Sequence, residues 1–377
     1  MRYPLCRRSY PVRLPGHPVA ALRYEYQVPL IDPVSSESAG DAIPASPDGA
    51  GDGAVVSDVA RDESVERLRD VAARLRESVQ RVIVGKDEAI DLALVALLCR
   101  GHVLLEDVPG IGKTTMAKAL AESLACDFKR IQFTPDLMPG DVLGVNILNM
   151  QTGEFDFRPG PIFTQILLAD EINRATPRTQ TALLEAMQER QSTIDGETRK
   201  LPEPFIVLAT LNPIELEGTF PLPEAQLDRF MLRVSLGYPT RSEESDILLR
   251  FSDPAGEPSI DPVMTAEELM QAQKLVLAVR MEDTLRTYLL EVIDATRNME
   301  DIQLGASPRA SLALYRASQA WAAIQGRAYV VPDDIKRMVS PVLAHRLILS
   351  SQARLRGRDA ESILDDRIRD IPVPIER

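Results

Sequence analysis

The chain has 377 residues, 45% hydrophobic and 26% charged, with a formal net charge of −13. That length accommodates two or three domains and a sizeable core. The acidic balance disfavours sequence-independent binding along a nucleic-acid backbone, which depends on clustered Lys and Arg, and no apolar run reaches the ~18 residues of a membrane span.

In chain order, residues 1–61 are rich in Pro, Gly, Ser, Ala and Asp and are expected to form a disordered tail. The early "CRRSYPVRLPGHP" has paired arginines but no apolar signal core after them. Cys6, Cys99 and Cys126 lack metal-ligand or redox spacing, which fits structural thiols in a reducing compartment. A cytoplasmic protein without stable membrane insertion is expected.

Order is predicted from about Asp62, where Val65, Leu68, Ala72, Leu75 and Val79 mark one helix face. Over 62–238, the buried-strand runs "HVLLE" (102–106), "QILLADE" (165–171) and "FIVLAT" (205–210) alternate with helical patterns. This is the signature of an α/β core, a central parallel sheet flanked by helices. After Pro239 the pattern becomes helical. Thr265 and Glu268 have capping-box spacing, and a helix capped by Ser307 with Pro308 in its first turn ends at Gly326. Residues 239–377 are therefore predicted to form a smaller, all-helical domain with a C-terminal tail.

The chemistry starts at "EDVPGIGKTT" (106–115). The strict phosphate-loop pattern asks for glycine six residues before Lys113, and Asp107 stands there instead. Phosphate is held by successive backbone amides and the positive end of the following helix. Those donors come mainly from Gly110 to Thr115, within a nucleotide-binding run of Pro109, Gly110, Ile111, Gly112, Lys113, Thr114 and Thr115. Lys113 would reach the outer phosphates, and the Thr114 hydroxyl would face Mg²⁺. Asp107 would repel a triphosphate if it faced inward, so it is predicted to turn away and bond within the strand-to-loop turn. On that reading Asp107→Gly changes ATP affinity only a few-fold. The plainer alternative is a glycine-rich turn without a ligand.

"ILLADEINRA" ends an apolar strand on Asp170 and Glu171, at the carboxyl end of the sheet where open α/β folds bind ligands. Asp170 could complete a Mg²⁺ shell and Glu171 could polarise the attacking water; alternatively, both cap the next helix. Asn212, after "FIVLAT", could position the same water or be a turn residue. Arg229 in "LPEAQLDRFM" and Arg309 in "GASPRA" could compensate charge in phosphoryl transfer. The alternative for Arg229 is an ion pair with Asp228 or Glu224.

In this order, "EDVPGIGKT", "LLADEINRA", "ATLNP", "LPEAQLDRF" and "GASPRA" resemble the MoxR branch of the AAA+ ATPases, over residues 65–374. "VIVGKDEAI" (82–90) matches the family's segment beside the adenine and implies contacts from Ile83, Val84 and Gly85. The resemblance implies an AAA+ P-loop core with a lid domain, and a homo-oligomeric ring, usually a hexamer, that hydrolyses ATP with Mg²⁺. Arg229 would be the finger offered to a neighbour's phosphates, with Arg309 also acting across the interface. The branch carries insertions, and two hairpins fit them. One spans about 145–163 around Thr152–Gly153, with Phe155 and Phe157 on one face; the other spans 192–202 around Asp195–Gly196. Either could grip a protein segment in a central channel or simply cover the sheet edge.

The implied function is chaperone-like remodelling or activation of partner proteins bearing von Willebrand factor A domains, with no nucleic acid. Rival readings are a nucleic-acid-remodelling AAA+ motor, a magnesium chelatase-like ATPase subunit, and a scaffold that binds ATP without turnover.

Overall fold

The computed structural model describes residues 58–212, 218–251 and 260–374. The expectation of a disordered tail over 1–61 lies outside them as far as residue 57. Helix α1 (Asp58–Gln80) begins one turn before the predicted boundary at Asp62. After it come α2 (Asp87–Leu98), β1 (Val103–Glu106), α3 (Lys113–Ser123), β2 (Phe128–Gln132) and α4 (Pro139–Leu143). A first hairpin, β3 (Gly144–Leu148) and β4 (Phe155–Pro159), precedes β5 (Ile166–Asp170) and α5 (Pro177–Glu189). A second, β6 (Gln191–Ile194) and β7 (Glu197–Lys200), precedes β8 (Ile206–Leu211), α6 (Glu224–Leu227) and β9 (Leu232–Val234).

The five core strands form one sheet in the order β2-β5-β8-β1-β9, and every pairing is parallel. Side chains alternate along each strand, so the apolar runs divide between two faces. Val103, Leu105, Ile166, Leu168, Ile206 and Leu208 join the core with α1, α2 and α3. Leu104, Leu167, Ala169, Val207 and Ala209 join a second core with Leu183, Leu184 and Met187 of α5. Burial on both faces is why these strands read as unbroken apolar runs rather than alternating ones. Helix α2 is apolar around its circumference because it packs against α1, β9 and helices further along the chain.

The rest of the chain forms α7 (Arg241–Phe251), α8 (Ala266–Val276), α9 (Asp283–Arg297), β10 (Ile302–Leu304), α10 (Pro308–Ile324), α11 (Pro332–Leu343), β11 (Ile348–Leu349), α12 (Ser351–Leu355) and α13 (Ala360–Asp370), of which α8 and α10 meet α2. Thr265 and Glu268 cap α8 reciprocally, and the Ser307 hydroxyl accepts the Ala310 amide at the start of α10. The core continues from the sheet through α1 and α2 into α8–α11, where each fully buried leucine such as Leu314 contributes about 2 kcal/mol. The prediction of an all-helical second domain is corrected in one respect: β10 and β11 pair antiparallel through Ile302↔Leu349. Strands this short carry no periodicity.

The hairpins lean on each other. Asn146 Nδ2 donates to Asp195 Oδ2 at 2.7 Å, and the Arg199 guanidinium lies 4.1 Å from the Phe157 ring centroid. Phe157 also meets Phe163 edge-on at 5.4 Å. Asp195 and Gly196 both have positive φ, as a tight hairpin turn requires. Phe155 and Phe157 sit two positions apart on β4, yet Phe155 is 71% exposed whereas Phe157 is half-buried.

His102, just before β1, ties the two sides of this layer together. Its Nδ1 accepts the Val207 amide at 3.0 Å, so Nε2 carries the proton and donates to the Met187 carbonyl at 3.0 Å. Burial lowers its pKa from 6.5 to about 4; the Met187 bond opposes this and Arg190 reinforces it. Unfolded, the imidazole protonates below about pH 6.5; folded, it resists until about pH 4. Its contribution is therefore present above pH 6.5 and lost as pH falls through that window, about 2 kcal/mol between pH 7 and 5. Urea unfolding at both pH values should show a steeper loss for wild type than for His102→Gln.

Cys99 and Cys126 are free thiols, pushed by burial up to about 12 and about 11 respectively. Among the described residues, no helix is long and apolar enough to cross a membrane.

Candidate functional site

The turn from β1 into α3 is built around two glycines. Gly110 and Gly112 have φ of 84° and 93°, where a side chain would be strained. Nothing lies within 4 Å of where their Cβ atoms would stand, so the concavity they leave is open. Gly112 caps α3 with no side-chain hydrogen bond, and the first helical bond runs from Met116 N to Gly112 O. The first-turn amides are thus available to an anion.

Lys113 is buried, and its Nζ donates to the backbone oxygen of Asp107 at 2.7 Å. Burial lowers its pKa, while Asp170, Asp107 and Glu171 favour its charged form. Thr114 and Thr115 follow, both half-buried.

Asp170 ends β5. Its Oδ1 accepts from Thr210 Oγ1 at 2.6 Å and its Oδ2 from Arg130 at 2.6 Å. Glu171 has a left-handed backbone (φ 55°), a costly conformation for a side-chain-bearing residue, and its amide donates to Thr210 Oγ1 at 2.7 Å. Its Oε2 accepts from Gln132 and pairs with Arg174 Nε at 3.0 Å. Asn212 is buried directly after β8, the strand between β1 and β5. The carboxyl ends of three adjacent strands thus bring together Lys113, Asp170, Glu171 and Asn212. Thr210, Arg130 and Gln132, which hold the acids, were missed by sequence reasoning.

Beside the loop lies a cavity of about 460 Å³, lined by Ile83, Val84, Pro109, Gly110, Ile111, Gly112 and Thr115 among the predicted residues. Gly85 is not among the lining residues, and a Cβ there would strike the Glu243 carboxylate. The far wall was not predicted. It comprises Tyr238, Pro239 and one face of α7, with Glu244, Ile247 and Arg250 at three-residue spacing; Val82 and Lys86 complete the lining. Lys86 Nζ donates to Tyr238 O at 2.8 Å and Arg250 to Arg81 O at 2.7 Å, so two cation-to-carbonyl bonds tie the far wall to the 81–86 segment.

Asp107 turns away from the loop, but further than expected. Its Oδ1 accepts the Val108 amide at 3.0 Å within its own turn. Its Oδ2 accepts from Ser235 Oγ (2.9 Å), Leu236 N (2.7 Å) and Gly237 N (2.8 Å), beyond β9. A glycine there would leave four donors without their acceptor, so the few-fold expectation for Asp107→Gly no longer follows.

The two arginines sit in a separate cluster, and neither lines the cavity. Arg229 follows α6; its Nη1 is buried without a hydrogen-bond partner, and the anticipated pairing with Asp228 or Glu224 is not formed. Asp228 instead accepts from Ser307 Oγ at 3.0 Å and lies 3.3 Å from Arg346. Ser307 caps α10, whose first turn presents the exposed Arg309. Arg346 is buried and donates to Phe230 O at 2.6 Å. Its pKa is pushed down to about 10 by burial; Asp228 opposes this and Arg309 adds to it. One carboxylate therefore joins the segments that carry both arginines.

A metal at this site fits few protein ligands. Among the described residues, no group of three or more His, Cys, Asp or Glu could hold one. Thr114 with Asp170 suits Mg²⁺, which takes one or two protein oxygens and completes its shell with phosphate and water.

Comparison with known proteins bears on the whole arrangement. The family described as "ATPase family associated with various cellular activities (AAA)" matches residues 102–232, and "AAA lid domain" matches 294–367. The chain is 49% identical to YeaC of Bacillus subtilis over 312 residues, covering 83% of this chain and 98% of that protein. It is 41% identical to Chaperone MoxR1 of Mycobacterium tuberculosis over 305 residues, covering 78% and 80%. A crystal structure from Cytophaga hutchinsonii superposes with a TM-score of 0.78 at 37% identity, covering 83% of this chain and 98% of that one.

Proposed function

Because this chain belongs to the MoxR family of AAA+ ATPases, we propose that it hydrolyses Mg-ATP within a homo-oligomeric ring and uses the cycle to remodel or activate partner proteins. One observation carries the reading: Lys113, Asp170, Glu171 and Asn212 converge at one end of the sheet, beside an open amide cradle and a cavity of about 460 Å³. The cavity takes the base, Gly110–Thr115 take the phosphates, and Lys113 binds the outer ones. Thr114 and Asp170 hold Mg²⁺, which neutralises charge on the phosphates. Glu171 orients the attacking water and accepts its proton, with Asn212 positioning the same water.

Arg229 and Arg309 act on the nucleotide of a neighbouring subunit in a ring expected to be hexameric. Their separation from this chain's own cavity supports that role, as does the unpartnered Arg229 Nη1. Arg229→Ala should slow hydrolysis roughly tenfold or more without changing ATP affinity, short of a full arginine-finger effect because Arg309 remains. Mixing it with Lys113→Ala should restore part of the rate, since a subunit defective in binding still offers its Arg229 to a neighbour. No recovery in steady-state phosphate release would count against action in trans.

The partner is a protein, with von Willebrand factor A domains as the expected class. A net charge of −13 disfavours the nucleic-acid motor, and copurification with a tetrapyrrole-binding subunit would favour the chelatase-like reading instead.

A further inference from the structure

We propose that Asp107 is a positioning residue that sets the wall of the base cavity, and so governs recognition of the base rather than of the phosphates. The proposal rests on the nucleotide-site reading above. β1 and β9 run in parallel register as far as Leu105↔Val234. Beyond it, the amides of Leu236 and Gly237 and the Ser235 hydroxyl converge on Asp107 Oδ2, at 2.7–2.9 Å. Gly237 has a φ of 62°, and the chain turns there directly into Tyr238 and Pro239 of the cavity wall. Lys86 holds the next carbonyl, Tyr238 O, and Arg250 holds the far end of α7 to Arg81 O. The wall is thus pinned to the loop before α2 by two cations, and to the phosphate loop by one buried carboxylate. Bonds to an ionised acceptor are roughly twice as strong as neutral ones, so this attachment is a firm one.

The same geometry spares phosphate binding. Lys113 bonds to the backbone oxygen of residue 107, which any side chain at that position retains. The amides from Gly110 to Thr115 lie beyond the carboxylate's contacts. Removing the carboxylate should therefore loosen Tyr238 and Pro239 while leaving the cradle in place.

The test is calorimetric titration of the purified full chain with ATP, GTP and inorganic tripolyphosphate. Asp107→Ser should weaken ATP binding about tenfold or more and narrow the ATP-over-GTP preference about threefold, with tripolyphosphate affinity unchanged to within about twofold. Its kcat at saturating ATP should stay within about threefold of wild type, so the defect appears in KM. Ser235→Ala, which removes one donor and keeps the carboxylate, should move the same ratios in the same direction by less. Equal losses for ATP and tripolyphosphate would overturn the proposal by making Asp107 a general support of the loop. Unchanged ATP affinity in folded Asp107→Ser would overturn it too. If Asp107→Ser fails to fold by circular dichroism, Asp107→Asn and Ser235→Ala decide by the same comparison of ATP with tripolyphosphate. Failure of the wild-type chain to bind ATP overturns the nucleotide-site reading itself, and this proposal with it.

Discussion

Glu171→Gln is expected to bind ATP within about threefold of wild type and to hydrolyse it about 10²–10³-fold more slowly. The asymmetry follows from what the side chain does. Glu171 lies at the end of β5, outside the amide cradle, and its carboxylate is held by Gln132 and Arg174 rather than by the loop. A glutamine keeps the volume and one acceptor oxygen but cannot take a proton from water. The left-handed backbone at this position is unaffected, so folding should be preserved. Nucleotide binding by calorimetry and phosphate release by a coupled assay separate the two effects. The variant should also hold its partner in the ATP-bound state, so its copurified material can be identified by mass spectrometry. A hydrolysis rate within threefold of wild type would support the scaffold reading; recovery of DNA and no protein would support the nucleic-acid motor.

Lys113→Ala should lose ATP binding by about 10²-fold or more, because a charge-assisted contact in a buried setting exceeds a neutral one. The loss has two parts. The cation that would meet the outer phosphates disappears, and Asp170 and Glu171, whose charges favour the protonated lysine, are left facing a polyanion without compensation. Lys113 is buried with its amine on Asp107 O, so shortening it also leaves that carbonyl without its donor. Equilibrium binding of ATP in the presence of Mg²⁺ measures the effect directly. Affinity within about threefold of wild type would mean that backbone amides alone hold the phosphates and that the lysine is structural.

Much of the core could be read from sequence because the chemistry and the strongest apolar runs coincide. "HVLLE", "QILLADE" and "FIVLAT" became β1, β5 and β8, the three central strands, since burial on both faces leaves no polar position to blur the pattern. β2 did not announce itself. It is an edge strand reading "FKRIQ", with Lys129, Arg130 and Gln132 exposed, and so Arg130 and Gln132 were invisible as partners of the acids. β9, β10 and β11 are too short for any period to emerge. The cavity wall escaped for a different reason. Tyr238, Ile247 and Arg250 belong to no phosphate motif, and their placement depends on contacts more than 150 positions away, from Lys86 and Arg81. Asp107 stands between these cases. The sequence marked it as a departure from the loop pattern and predicted that it turns away, but its partners at 235–237 follow the neighbouring strand β9, about 130 positions along the chain.

The proposed function places ATP hydrolysis at the cluster on the ends of β1, β5 and β8. Phosphate release from ATP by the purified full-length chain, followed with Mg²⁺ and again after EDTA, tests it most directly. Sustained release, many phosphates per chain, that stops on chelation is the expected result. Stoichiometric ATP binding with less than one phosphate released per chain would contradict it.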